Sequence, residues 1–122
     1  MNKRTTMELV KDIRTMLLTD CPRSFFRESK EKKTYPYVVF DVRAYMERRV
    51  ELELDLWGLR GPDTEKELND LADTIEENID GIVISKPSYI ASFGTNNDVK
   101  DVPDENKDIK HINMSFSVIY QS

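Results

Sequence analysis

The sequence predicts an α+β domain, an antiparallel β-sheet with two amphipathic helices packed on one face, in the order α-β-β-β-α-β-β. Three observations carry this expectation. Two segments repeat apolar residues at helical period and each shows a single apolar stripe, as a helix lying on a sheet requires. Several other segments alternate apolar and polar residues with period two, the mark of strands buried on one side only. Those strands are not the continuously apolar runs of a parallel sheet covered on both faces. At 122 residues and 39% hydrophobic, the chain has the size of one domain, 1–122, with enough apolar surface for a core of its own.

The first helix is expected over residues 6–19. Thr5 and Glu8 have capping-box spacing, and Leu9, Val10, Ile13, Met16 and Leu17 share a face. Cys21-Pro22 ends it, because proline disfavours a helical conformation in the residue before it. Residues 24–29 form a short strand with Phe25 or Phe26 turned inward, and a charged turn follows at 30–33. Residues 37–45, YVVFDVRAY, are β-branched and aromatic, with Val38, Phe40 and Val42 on one side. Residues 50–57, VELELDLW, alternate without error, Val50, Leu52, Leu54 and Leu56 against Glu51, Glu53 and Asp55. The short link 46–49 fits a long hairpin of these two strands.

Gly58, Gly61 and Pro62 then break the pattern. The second helix has a capping-box pair in Thr64 and Glu67, an apolar face of Leu68, Leu71, Ala72, Ile75 and Ile79, and Gly81 as its C-cap glycine. Residues 82–84 and 89–93 are short strand candidates either side of Lys86-Pro87. Residues 95–108, TNNDVKDVPDENKD, have almost no apolar content and read as a long mobile loop. Such loops are either plain linkers or segments that order on a partner, and Asp98 and Asp101 are its candidate contacts. The final strand, 111–120, places Ile112, Met114, Phe116, Val118 and Tyr120 on one side.

Composition excludes several functions. No window approaches the roughly 18 apolar residues of a membrane-spanning helix. One cysteine, Cys21, and one histidine, His111, fall short of the several Cys or His ligands of ordinary zinc sites and give no nucleophile triad. A lone cysteine and no cationic, apolar leader point to a reducing cytoplasm. Gly58-Leu59-Arg60-Gly61 lacks the pattern of a phosphate loop. The expectation is therefore a protein that is not an enzyme and uses neither cofactor nor metal.

Charge is unevenly spread. Residues 1–50 hold 12 Lys and Arg against 7 Asp and Glu, whereas residues 51–80 hold 2 against 11. Opposite patches on one subunit favour head-to-tail association of copies. A basic cluster at Arg23, Arg27, Lys30, Lys32 and Lys33 is diluted by Glu28 and Glu31 and is a weak phosphate-binding patch. Glu51, Glu53 and Asp55 lie roughly 7 Å apart in succession along one strand face, a ladder and not a ligand cage. Asp41 and Arg43 on the neighbouring strand are expected to pair across the hairpin with this stripe. Trp57 closes the core or anchors a partner, with core closure favoured, and His111 is an ordinary polar residue near a strand start.

The runs PYVVFDVRAYMERRVELELDLWG and TEKELNDLADTIEENIDG resemble the small tail terminator, or tail completion, proteins of long-tailed bacteriophages. These include the tail-to-head joining proteins of phages and prophages of Gram-positive bacteria. The similarity rests on the Pro36-Tyr37 strand start, on Asp55-Leu56-Trp57-Gly58 closing the next strand, and on the spaced leucines and isoleucines from Leu68 to Ile79. It spans residues 35–81, with the first helix fitting in position and length.

The resemblance implies a structural subunit that forms a ring, commonly a hexamer, on the last ring of the tail tube. Its partners would be itself, the tail tube protein and the head–tail connector, with DNA passing through the lumen without specific binding. It would sit in the host cytoplasm during assembly and then in the virion at the tail–head junction. The charge pattern adds that the basic first half meets the acidic middle of the next subunit, with Glu76 and Glu77 among the contacts. One acidic face, on strand or helix, then lines the channel. The alternatives are a head-completion or neck adaptor protein and a small, non-catalytic, ligand-binding regulatory domain with a pocket between sheet and helices.

Overall fold

The strand with the strictest alternation organises the sheet. In the computed structural model, which describes residues 3–27, 34–46 and 48–121, β3 (Arg49–Leu59) buries Val50, Leu52, Leu54 and Leu56 completely. Its carboxylate residues face the other way. The remaining elements are α1 (Lys3–Asp20), β1 (Ser24–Phe26), β2 (Tyr37–Met46), α2 (Pro62–Ile79), β4 (Val83–Lys86), β5 (Tyr89–Val102) and β6 (Ile109–Gln121). The six strands make one sheet in the order β1-β2-β3-β6-β5-β4. The α+β class and the order α-β-β-β-α-β-β are as expected, with one further strand at the end because the two short candidates after α2 form separate strands of a hairpin.

The sheet is mixed instead of wholly antiparallel, because β1 runs parallel to β2 with Ser24 beside Val38 and Phe26 beside Phe40. β1 stops early, where Arg27 takes a left-handed φ of 68°. Ser24 is fully buried with its hydroxyl donating to the Cys21 carbonyl at 2.8 Å, which ties the strand to the end of α1. Phe26 packs on Phe40, ring centroids 5.3 Å apart. Residues 28–33, with Lys32, Lys33 and the expected charged turn, lie outside the described residues.

β2 and β3 form the expected hairpin, in register from Tyr37 opposite Trp57 to Ala44 opposite Val50, with a shift before Met46 opposite Arg49. The long mobile loop is corrected. Residues 95–102 continue β5, which pairs with β6 as far as Val102 opposite His111, with register shifts around Asn96. Backbone hydrogen bonding to an already ordered neighbour needs no apolar side chains, so composition hid the strand. The turn that remains is built from side-chain bonds: Asp104 accepts the Asn106 N–H and Asn106 accepts the Asp108 N–H, both at 2.9 Å.

Both helices cover the same face. Leu9, Val10, Ile13 and Leu17 of α1 and Leu68, Ala72, Ile75 and Ile79 of α2 join the buried sheet residues in one core, with Met16 and Leu71 at its margin. α1 starts at Lys3, ahead of the expected start, so Thr5 lies within the helix and not at its cap. α2 likewise starts two residues before the proposed cap. Gly61 is its N-cap and Pro62 opens the helix, since proline presets a helical φ and lacks the N–H that would go unpaired there. Glu65 accepts the Gly61 N–H at 3.2 Å, and Thr64 donates to the Gly61 carbonyl at 3.4 Å. At the other end Gly81 adopts φ 69° just past the C-cap, as expected.

Gly58 lets α2 pack tightly on the sheet, because a Cβ there would stand 3.1 Å from the Leu68 side chain. Two stability outcomes follow from this packing. Leu68→Ala is expected to lower unfolding free energy by about 2–5 kcal/mol through lost burial and a residual cavity. Gly81→Ala, where no neighbour lies within 4 Å, should cost about 1–2 kcal/mol through backbone conformation alone. Urea denaturation with unchanged m-values checks both.

Candidate functional site: the uncovered face of the sheet

With both helices on one side, no described element covers the other. Strand register decides which residues meet there. Tyr37, Val39, Asp41 and Arg43 of β2 lie opposite Trp57, Asp55, Glu53 and Glu51 of β3. On the far side of β3, His111, Asn113, Ser115 and Ser117 of β6 lie opposite the same four residues in the same order. The predicted stripe of Glu51, Glu53, Asp55 and Trp57 is therefore the middle row of a three-strand surface.

At one end three rings stack across three strands. Tyr37 lies on Trp57 with centroids 5.0 Å apart and planes 16° from parallel, and Trp57 lies on His111 at 4.4 Å and 17°. Trp57 is half-buried on this face, so the expectation that it closes the core is corrected. Its position has the parity of the carboxylates, and Gly58 takes the inward position. Burial, with Tyr35 and Asp104 nearby, pushes the Tyr37 phenol up to about 12, so it remains a neutral hydroxyl.

The stack runs directly into the carboxylates. Asp55 Oδ1 accepts from His111 Nε2 at 2.7 Å and from Asn113 Nδ2 at 2.9 Å, and the same amide nitrogen lies 3.1 Å from Glu53 Oε1. His111 is thus more than an isolated polar residue: its ring is held flat on Trp57 by a carboxylate on the adjacent strand.

Further along, Asp41 collects the cations. Burial would raise its carboxyl, but donation from Arg43, from Arg27 and from the Val42 N–H outweighs this and holds it below the ordinary carboxylate value. The two Nε contacts measure 3.0 Å for Arg43 and 3.2 Å for Arg27. The expected pairing of Arg43 with the stripe across the hairpin is corrected. It stands opposite Glu51 in register but bonds Asp41 on its own strand, which relieves the repulsion between Asp41 and the facing Glu53.

The other predicted contact residues are dispersed. Arg23 donates to the carbonyls of Thr34, Tyr35 and Pro36 at 3.0, 3.4 and 3.2 Å, so it binds the chain leading into β2. Glu76 and Glu77 lie on α2 in the helix layer, away from the strand stripe. Asp98 occupies the β5 position opposite Ser115. Asp101 lies 4.0 Å from both Arg60 and Lys110, and Glu65 lies 3.1 Å from Arg60 and 3.8 Å from Lys110. That network clamps the start of α2 to the ends of β3, β5 and β6.

A separate open cleft of about 460 Å³ lies between α1 and the β4–β5 turn, lined by Glu8, Lys11, Asp12, Lys86, Pro87 and Ser88. The Tyr89 hydroxyl donates to Asp12 and the Ser88 hydroxyl to Glu8. Burial first, and the adjacent Asp12 next, raise the Tyr89 phenol. These bonds fasten the turn to α1, whose Glu8, Lys11 and Asp12 face Lys86 across the cleft. Among the described residues, no three His, Cys, Asp or Glu side chains are placed to hold a metal ion. No described helix is long and apolar enough to cross a membrane.

Sequence reasoning missed Tyr37, His111 and Asn113 as parts of this face. Their alternation parity was visible, but β3–β6 register joins residues more than fifty positions apart. The chain matches no protein-family model and no curated protein.

Two measurements test the face. His111→Ala removes one side of the stack, so Trp57 emission is expected to shift to the red, with stability lower by about 1–3 kcal/mol from the lost ring contact and charged hydrogen bond. For Asp41, a lowered folded pKa means stability that is fully present above the ordinary carboxylate range and lost as pH falls through the folded value. The advantage of the wild-type chain over Asp41→Asn should therefore be about 0.2–1 kcal/mol near neutrality, since both arginines are largely exposed. It should vanish in acid, as read by urea midpoints across pH.

Proposed function

We propose that this protein is a structural ring subunit of a long-tailed phage or prophage, which caps the tail tube, ends its polymerisation and forms the joint to the head connector. The observation that carries the reading is the uncovered sheet face. A six-stranded sheet with helices on one side only leaves Trp57, three stripe carboxylates and paired arginines for contacts outside the chain. Aromatic and arginine residues on a broad surface favour protein partners over a small molecule.

Two further features support it. The two edge strands are short, three residues in β1 and four in β4, which discourages open-ended strand addition and leaves faces as the natural contacts. The acidic surfaces also lie on opposite layers, the β3 stripe on the sheet and Glu76 and Glu77 on α2. A subunit in a closed ring needs different patches for its two neighbours and for the axial partners. In this assignment the α2 surface borders the DNA passage, where like charge lets the duplex move without adhering.

Tail tube protein polymerised with the purified chain tests the reading. Tubes of limited length with a ring at one end are expected, and electron microscopy reads both features. An unchanged tube-length distribution with no bound ring overturns it, and binding only to the head connector would identify a neck adaptor instead.

A further inference from the structure

The uncovered face has a basic end as well as an acidic centre. Arg48 and Arg49, both exposed, stand where the β2–β3 hairpin turns back, and Arg48 is held there with φ 63° and its carbonyl accepting the Tyr120 N–H at 2.8 Å. Arg49 shares the outward parity of Glu51, Glu53 and Asp55. The bond to Tyr120, itself 2% exposed, ties this end of the hairpin to the core. Beside them Ile119, opposite Arg49, is 47% exposed, and Ile90 is 44% exposed on the same face.

We propose that the occupant of this face is a second copy of the chain, whose Arg48–Arg49 hairpin end lies across the Glu51–Glu53–Asp55 stripe of its neighbour. The inference rests on the ring reading only for the closure of the contact. Charge complementarity selects the occupant. Arg27 and Arg43 already bind Asp41, and Asp55 is oriented by His111 and Asn113, which leaves a stripe preorganised as acceptors with net negative charge. Two further cations of the chain, Arg48 and Arg49, stand exposed at the hairpin end. Tip and stripe are different patches, so the contact is head-to-tail and repeats around a ring. Ile119, beside Arg49, and Ile90, one strand further across the sheet, supply apolar area that salt bridges at a rim do not provide.

Charge reversal with mixing tests this. One full-length variant carries Arg48→Glu and Arg49→Glu, and a second carries Glu51→Lys and Glu53→Lys. Each alone faces like charge with like, so its self-association should fall at least about tenfold relative to wild type. In an equimolar mixture every tip of one variant can again meet a stripe of opposite sign, and association should return. Sedimentation velocity at low and high salt reads the sizes, and the wild-type contact should weaken with salt. Glu51→Gln with Glu53→Gln, which keeps an acceptor for Asn113, should weaken association less than the lysine pair.

A wild-type chain that stays monomeric at every concentration and salt overturns the proposal. So does self-association of either reversed variant at wild-type strength, or a mixture of folded variants that fails to recover. Circular dichroism confirms folding of each variant. The ring reading is judged separately: if mixing restores association while tubes polymerise unhindered, the contact stands and the tail function fails. If a chain that is monomeric on its own still caps tubes, the tail function stands and the contact fails.

Discussion

Every outward feature of this protein depends on one constraint, the period-two alternation of β3 at the centre of the sheet. Val50, Leu52, Leu54 and Leu56 are wholly withdrawn from water, and each such side chain contributes about 1.5–3 kcal/mol of transfer free energy. A one-residue slip in pairing would turn these four aliphatic side chains outward and three carboxylates inward. The cost of burying unpaired carboxylates makes that slip prohibitive. Register on both sides of β3 is thereby held, and with it the alignment of β2 and β6 that assembles the outer face.

The same constraint explains why the outer face is a network instead of a row of repelling charges. Glu51, Glu53 and Asp55 project together because their neighbours must be buried, and Asp41 faces Glu53 for the same reason. The surrounding residues relieve the charge locally: Arg27 and Arg43 at Asp41, Asn113 between Glu53 and Asp55, His111 at Asp55. The ring stack of Tyr37, Trp57 and His111 then gives the face a stiff end. Such stacks add about 0.5–1.5 kcal/mol per pair beyond burial. A face held this firmly loses little conformational freedom on meeting a partner, which favours it as a contact surface.

Local periodicity made most of the architecture legible. Both helices, the β2–β3 hairpin, the last strand and the C-terminal role of Gly81 follow from patterns within short stretches of chain. The misplaced start of α2 has a local cause too, since Gly61-Pro62 read as a break although proline opens helices as readily as it ends them. Residues 95–102 were hidden for a different reason: their strand character comes from β6, and their own composition carries no trace of it. Trp57 shows a reading that parity would have corrected, because it shares the outward phase of Glu51, Glu53 and Asp55.

By itself the sequence determined the class of fold, the buried faces of both helices and of β2, β3 and β6, and the existence of an acidic stripe. Each is a property of neighbours in the chain, where side-chain direction repeats with the backbone period. Only the tertiary structure decided that β6 inserts between β3 and β5, that His111 and Asn113 therefore meet Trp57, Asp55 and Glu53, and that Arg27 reaches Asp41 across a parallel strand pair. Those meetings depend on long-range register, which is set by the packing of the whole core against two helices and leaves no mark in the local pattern of either partner.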